Sequence, residues 1–286
     1  MNQTVAVKPD QLVRLRTERP VVLVDCRFSL TDPQLGYQQY LQGHIPGAYY
    51  LDLNQHLSSP VEVHGGRHPL PDLSVFAAQL SRMGVTAQTL VVAYDDSRFA
   101  FASRLWWLLR YMGHSQAVVL EGGFAAYQAV GLPIATDIPP ECPGQFIPQV
   151  NAGLAIDIHG VQQRQSQPQV VLVDSREGDR YRGEREPIDP VAGHIPGAMN
   201  YPWQEITDEK GFLRSPEALR TYWSAVTKAE EVVVYCGSGV TACVNLLGMA
   251  AAGLTTGKLY VGSWSDWCSY PLDENGQAQL ALGERM

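Results

Sequence analysis

Short runs of β-branched residues alternate with helix-patterned stretches along the chain. The apolar runs Val21-Val-Leu-Val, Leu90-Val-Val-Ala-Tyr94 and Val232-Val-Val-Tyr235 predict buried strands. The stretches 74–82, 103–111 and 216–227 predict helices between such strands. This alternation is typical of a mainly parallel sheet flanked on both faces by helices, so the sequence predicts an α/β fold.

Two segments of the first half recur in the second half. Val21-Val-Leu-Val-Asp-Cys-Arg27 returns as Val170-Val-Leu-Val-Asp-Ser-Arg176. Gly43-His-Ile-Pro-Gly-Ala48 returns unchanged as Gly193-His-Ile-Pro-Gly-Ala198. Because the two separations are nearly equal, we interpret the chain as a tandem repeat of about half its length.

The connection between the repeats is rich in proline and glycine. Residues 131–144 contain both in high density and show no hydrophobic periodicity. We therefore predict a first domain over residues 1–135, a linker over 136–153 and a second domain over 154–286.

Cys236 is the candidate nucleophile. It follows the predicted strand Val232–Tyr235, and a helix is predicted from about Thr241. Gly237 and Gly239 allow the loop to curl so that its backbone N–H groups point at the sulfur. Amides and a helix N-terminus stabilise a thiolate, typically lowering a cysteine pKa from about 8.5 into the range ~3.5–7.5. A packed core cysteine would not require these glycines.

The first half has an acid where the second half has this cysteine. Asp95 follows the strand ending at Tyr94. A carboxylate cannot replace a thiol as a sulfur nucleophile, so we expect the first domain to be inert and to support the second.

Charge and composition limit the kinds of partner that the protein is expected to bind. The 286 residues are 45% hydrophobic and 17% charged, with a net charge of −8, which argues against nucleic acid or an anionic membrane as the main partner. No apolar run has the length of a signal peptide core or a bilayer span, so we expect a cytoplasmic protein. The cysteines have no C-x-x-C spacing, so we expect reduced thiols and no zinc ribbon.

Together, the repeated strand-Asp-x-Arg and Gly-His-Ile-Pro-Gly-Ala segments and Cys236-Gly-Ser-Gly-Val-Thr-Ala-Cys243 resemble the rhodanese superfamily. The chain is most similar to its tandem thiosulfate and 3-mercaptopyruvate sulfurtransferases. The resemblance implies two rhodanese-like domains and sulfane sulfur transfer through a Cys236 persulfide. It implies a small anionic donor, no metal or organic cofactor, and an acceptor that is cyanide or a thiol, such as a dithiol or a thioredoxin-like protein.

The resemblance also implies binding residues for donor and persulfide. Arg180 matches the family's substrate-binding arginine, but a second arginine, usual nine residues later, is replaced by Asp189. Arg185 or Arg182 could substitute for it. The implied loop contacts to the donor and persulfide come from Gly237, Gly239, Val240 and Thr241.

The loop resembles the mercaptopyruvate type because Ser238 follows Gly237. In that type the serine joins a histidine, here matched by His68, and an acid whose position holds Asn54, with Asp52 nearby. Ser238 and His68 could deliver a proton to a pyruvate enolate, so 3-mercaptopyruvate is favoured over thiosulfate. Without the resemblance, His68 could equally be an exposed loop histidine.

Two rival classes remain open from the sequence. A cysteine-dependent phosphatase or arsenate reductase would need an arginine six residues after Cys236, where Ala242 stands. A non-catalytic persulfide carrier is the other alternative. For Cys243, packing inside the helix is the simpler interpretation.

Overall fold

The first half of the chain folds as a parallel sheet. The computed structural model describes residues 4–280. The first sheet has five strands in the order β1-β5-β4-β2-β3, and all pairs are parallel. Its strands are β1 (Ala6–Val7), β2 (Val21–Asp25), β3 (Tyr49–Tyr50), β4 (Leu90–Tyr94) and β5 (Ala117–Leu120). Its helices are α1 (Pro9–Glu18), α2 (Leu35–Gln42), α3 (Leu73–Arg82), α4 (Ala102–Tyr111) and α5 (Gly123–Ala129).

The second half repeats this plan. Its five parallel strands follow the equivalent order β6-β10-β9-β7-β8. They are β6 (Ala155–Ile156), β7 (Val170–Asp174), β8 (Met199–Asn200), β9 (Glu231–Tyr235) and β10 (Gly257–Tyr260). The helices are α6 (Ile158–Arg164), α7 (Gly178–Tyr181), α8 (Pro216–Tyr222), α9 (Ala242–Ala251) and α10 (Ser263–Trp267). The predicted tandem α/β architecture is confirmed.

Most predicted elements lie within a residue or two of their expected positions. The exception is the stretch 216–227, which divides into α8 and a 3-10 turn over Ser224–Val226. Two further 3-10 turns cover Ala152–Leu154 and Trp203–Ile206. The central strands are buried on both faces, which explains why they are continuous apolar runs rather than alternating ones.

The repeated sequence segments form the same corner in each half. Arg27 donates hydrogen bonds to the Asp25 carboxylate and to the carbonyl of Gly43. Equivalent contacts recur around Arg176. In both halves the histidine of the Gly-His-Ile-Pro-Gly segment bonds and stacks on a tyrosine, as His44 does on Tyr40. These buried contacts explain the repetition without assigning chemistry to the motif.

The two halves share one continuous core. Helix α4 packs against α9, and Trp106 and Trp107 belong to the same apolar cluster as Cys236. Residues 130–151 contain no helix or strand, and this connector bridges back to the first half at Ala135 and Cys142. The predicted linker, 136–153, overlaps it. Within residues 4–280, no helix is long and apolar enough to cross a membrane.

Candidate functional site

Cys236 lines a cavity between the two halves. It directly follows β9, and its side chain is only 2% exposed. The cavity has a volume of about 550 Å³. Of the predicted site residues, it brings together Cys236, Gly237, Ser238, Val240, Thr241, Arg180 and His68. The carboxyl end of a parallel sheet thus carries the site, as expected for an open α/β fold.

In the first half, the loop after β4 binds a carboxylate of its own chain. The Asp95 carboxylate, 2% exposed, accepts four backbone N–H bonds, from Ser97 at 2.8 Å, Phe99 at 3.1 Å, Phe101 at 2.9 Å and Ala102 at 2.8 Å. An anion is therefore already held there by its own chain. This arrangement agrees with the expectation that the first domain has no sulfur nucleophile.

In the second half, the backbone N–H groups of the corresponding loop do not donate hydrogen bonds to a side chain. Within the described residues 4–280, the backbone N–H groups of 238–241 donate to no protein acceptor. They belong to the loop that directly follows Cys236, the residue that stands in the place of the carboxylate. A thiolate or persulfide on Cys236 can therefore receive the kind of hydrogen bonds that Asp95 receives.

Gly239 shapes the loop from behind. Its φ is +73°, a region that disfavours other residues, and a Cβ there would lie 2.3 Å from the Val261 carbonyl oxygen. The carbonyl of Cys236 accepts a bond of 3.0 Å from the Trp264 N–H. Gly239 therefore acts through loop geometry, and it does not line the cavity.

His68 comes from the first half and meets Ser238 from the second. Its Nδ1 lies 2.8 Å from Ser238 Oγ, and both residues are buried. The segment is fixed by Gly65, whose N–H donates to Asp266 Oδ1 at 2.7 Å. Gly66, at φ +81°, packs so closely that a Cβ would lie 2.3 Å from a carbonyl oxygen of the second half. The site is therefore complete only when the halves are docked.

The environment of His68 keeps it neutral. Burial, together with a smaller contribution from the nearby cations Arg104 and Arg67, lowers its pKa to about 3. At neutral pH the imidazole therefore carries no charge. It orients the Ser238 hydroxyl through a hydrogen bond. Because it is neutral, it has no imidazolium proton to donate at this pH.

The acid expected beside His68 is not supplied by either predicted residue. The Asp52 carboxylate accepts backbone N–H bonds from Asn54 at 2.8 Å and Gln55 at 3.0 Å, so it caps its own turn. Within residues 4–280, neither Asp52 nor Asn54 hydrogen-bonds His68.

Arg104 is a buried cation that the sequence reasoning missed. It is fully buried on α4 and donates to the carbonyls of His68 at 3.1 Å and Gly239 at 3.0 Å. It also bonds the carbonyls of Leu57 and Pro69. Arg104 thus connects the histidine segment to the cysteine loop. An arginine directly before the apolar run Leu105-Trp-Trp-Leu-Leu109 of α4 was the available signal.

Arg180 lies in a buried network of charges. Its guanidinium bonds Glu186 at 2.7 Å and Asp189 at 3.2 Å. Arg67, from the first half, pairs with the other oxygen of Asp189. A Cβ built on Gly237 would lie 2.9 Å from Arg67 and 3.6 Å from Arg180, so both guanidinium groups lie against the loop. Arg67 was not identified from sequence.

Arg185 lies outside this network. Its side chain is 52% exposed and pairs with Asp179 at 2.6 Å. Arg182 likewise pairs at the surface, with Glu184. Neither lines the cavity.

Cys243 donates to the Gly239 carbonyl at 3.4 Å, and burial raises its pKa to about 12, as expected for a packed thiol.

The described residues contain no cluster of three or more potential metal-ligating side chains. The chain thus has two parallel α/β domains, one whose loop holds an internal carboxylate and one whose loop follows a cysteine in the cavity. The Rhodanese-like domain family matches residues 8–130 and 157–270. The chain therefore belongs to the family of rhodanese-like proteins, as a tandem sulfurtransferase.

Several relatives are similar along nearly their whole length. A probable 3-mercaptopyruvate sulfurtransferase of Pseudomonas aeruginosa is 42% identical, covering 95% of this chain and 97% of the relative. A putative thiosulfate sulfurtransferase, SseB of Mycobacterium tuberculosis, is 37% identical, covering 88% and 89%. The crystal structure of the 3-mercaptopyruvate sulfotransferase SseA of Escherichia coli is 30% identical, with a TM-score of 0.78, covering 92% and 99%.

Proposed function

We propose that Cys236 takes a sulfane sulfur from 3-mercaptopyruvate and passes it, as a persulfide, to a thiol. One observation supports this most directly. The loop after Asp95 holds that carboxylate through its amides, whereas the backbone N–H groups of 238–241, in the loop that follows Cys236, bond no protein acceptor within residues 4–280. A persulfide anion is the group that such a loop would stabilise.

The proposed reaction has two displacements. The Cys236 thiolate attacks the sulfur of 3-mercaptopyruvate, an S–S bond forms, and the C–S bond breaks. The electron pair of that bond leaves on the pyruvate enolate, which takes up a proton to give pyruvate. An acceptor thiolate then attacks the outer sulfur, which regenerates the Cys236 thiolate.

Ser238 supports the choice of donor. Its hydroxyl lies in the cavity and is held by His68 at 2.8 Å. A fixed hydroxyl can donate a hydrogen bond to the oxygen of the enolate as negative charge develops there. Thiosulfate, which leaves as sulfite, forms no enolate and gains less from this contact. The names of the Pseudomonas aeruginosa and Escherichia coli relatives agree with this donor.

Arg180 binds the anionic end of the donor. It is buried, and it lies against Gly237 beside the cysteine. A charge-assisted hydrogen bond of this kind contributes about 1.5–3 kcal/mol. The same positive charge also suits a thiosulfate dianion, and the Mycobacterium tuberculosis relative is named for that donor. Thiosulfate is therefore the second candidate.

The acceptor is a thiol that can reach the base of the cavity. A small dithiol or a thioredoxin-like protein fits this requirement, and cyanide is a small alternative nucleophile. All five cysteines are free in the structure, which agrees with a reducing compartment such as the cytoplasm.

The test is steady-state kcat/KM for 3-mercaptopyruvate and thiosulfate, measured side by side with cyanide and with a dithiol. Intact mass after donor treatment should show one added sulfur atom, located on Cys236. Cys236→Ser should abolish transfer while urea unfolding stays cooperative. A higher kcat/KM with thiosulfate would replace the first donor by the second, and sulfur transfer retained in Cys236→Ser would refute the mechanism.

A further inference from the structure

Arg104 is a buried cation without a carboxylate partner. It lies on α4 in the first half and is fully buried. Within residues 4–280, the oxygen acceptors of its guanidinium are all backbone carbonyls. The other buried arginines in this part of the chain each pair with a carboxylate, namely Arg27 with Asp25, Arg176 with Asp174 and Arg180 with Glu186. An unpaired buried charge destabilises a fold, so the counter-charge of Arg104 has to come from a neighbouring group that can ionise.

Two thiols lie near the Arg104 guanidinium. Burial lowers the pKa of this guanidinium, whereas Cys243 and Cys236 act on it in the opposite direction. Arginine nevertheless keeps its proton in a protein, so the positive charge remains. Cys243 does not supply the counter-charge at neutral pH, because burial raises the pKa of its thiol to about 12. Of the two thiols, Cys236 is therefore the one that can carry the compensating negative charge.

The equivalent position in the second half holds a neutral residue. Arg104 stands nine residues after Asp95, and Asn245 on α9 stands nine residues after Cys236. Asn245 is also fully buried, and its side chain donates to the Tyr201 carbonyl at 2.7 Å. A neutral amide is thus sufficient to bond a backbone carbonyl from this position of the helix. The repeated fold therefore does not by itself require the charge of Arg104.

A hydrogen bond connects Arg104 to the loop that follows Cys236. Its Nη1 donates to the Gly239 carbonyl at 3.0 Å. The same peptide group carries the Val240 N–H, which donates to no protein acceptor within residues 4–280. A cation bonded to the carbonyl polarises this peptide and makes its N–H a stronger donor to an anion. Arg104 does not line the cavity, so it reaches the loop from within the core.

We propose that Arg104, contributed by the half that has no nucleophile, is the counter-charge of the Cys236 anion, first as thiolate and then as persulfide. The persulfide part of this role rests on the sulfur transfer proposed above. Arg104 is a positioning residue, because it acts on Cys236 through the buried loop and does not contact the donor. It differs in this from Arg67 and Arg180, which line the cavity.

The test is the pH dependence of the alkylation of Cys236 by iodoacetamide, a neutral reagent that reacts with the thiolate. Peptide mass spectrometry assigns the modification to Cys236. In Arg104→Met and Arg104→Gln, the pH of half-maximal rate should rise by about one unit, which is a roughly ten-fold lower rate at a fixed pH below the midpoint. Arg104→Lys keeps the charge and should stay within about 0.3 unit of the wild type.

Arg110 on the same helix supplies the matched control. Burial lowers the pKa of its guanidinium and no cysteine acts on it, so Arg110→Gln should keep the wild-type midpoint. Other titratable and charged groups near Cys236 also influence the midpoint, but they are the same in every variant. They are Arg67, His68, Arg176 and Arg180, which line the cavity, and Cys243 on α9.

The outcomes separate charge from structure. An unchanged midpoint in a folded Arg104→Met or Arg104→Gln variant overturns the role of Arg104. A midpoint raised by about one unit in Arg104→Lys also overturns it, because lost bonding geometry and not lost charge would then be responsible. A wild-type midpoint in Arg104→Lys supports the role even when neither neutral variant folds. Alkylation requires no sulfur transfer, so a wild type that transfers sulfur from neither donor overturns the proposed function and leaves this test of Arg104 in place.

Discussion

Acid sensitivity provides a direct test of the buried His68. The perturbation is His68→Gln, which keeps a hydrogen-bonding side chain near Ser238 but removes the titrating ring. Because burial and two nearby arginines lower the pKa of His68 from 6.5 to about 3, the folded protein does not bind a proton that the unfolded chain binds. The sign follows. The stabilisation is complete above pH 6.5 and is lost progressively as the pH falls toward 3.

The magnitude follows from the size of the shift. Each pH unit between the two pKa values contributes about 1.4 kcal/mol. Between pH 6.5 and pH 5 this amounts to about 2 kcal/mol lost from the free energy of unfolding through His68 alone. That loss is a large fraction of an ordinary domain stability of about 5–15 kcal/mol.

The assay is urea unfolding of wild type and His68→Gln from pH 7.5 to pH 4.5. Other groups titrate in this range, so the informative quantity is the difference between the two proteins at each pH. His68→Gln should lose about 2 kcal/mol less than wild type on going to pH 5. Ser238→Ala is the matched control. It should keep the wild-type slope, because the shift arises mainly from burial. Parallel curves for wild type and His68→Gln would refute the reasoning.

Four substitutions, one of them the control Arg185→Ala, test the site further. Ser238→Ala should lower kcat with 3-mercaptopyruvate at least ten-fold and affect thiosulfate less, as steady-state assays with both donors will show. Arg104→Lys, which cannot reach all its carbonyl partners, should lower the free energy of unfolding in urea by about 1–3 kcal/mol. Arg180→Ala should lower kcat/KM roughly ten- to a hundred-fold, whereas the exposed Arg185→Ala should change it less than two-fold. Equal effects of the two would place Arg185 in the donor site.

Local sequence carried enough information to predict the fold and to single out Cys236 as the candidate nucleophile. The strands are continuous apolar runs because they are buried on both faces, and the repeated Asp-x-Arg segments recur because each forms the same buried corner. The loop after Cys236 could also be predicted from the sequence. The positive φ of Gly239 belongs to the backbone conformation of the loop itself, although the close approach of this glycine to Val261 is a tertiary contact.

Only the tertiary structure showed which charges reach the site. Arg67 and Arg104 lie 169 and 132 positions before Cys236 in the sequence, and neither stands in a local pattern that assigns chemistry to it. Arg185, by contrast, is close to Arg180 in sequence but turns to Asp179 at the surface. Distance along the chain therefore gave no measure of distance from the sulfur.

The physical reason is that the cavity is formed by docking two domains. Backbone conformation and burial pattern are set by neighbouring residues, so a single sequence determines the repeat, the strands and the cysteine loop. The pairing of Arg67 with Asp189 and of His68 with Ser238 depends on how the two halves pack. The sequence by itself thus determined the candidate nucleophile, and the tertiary structure decided the cations and the neutral histidine around it.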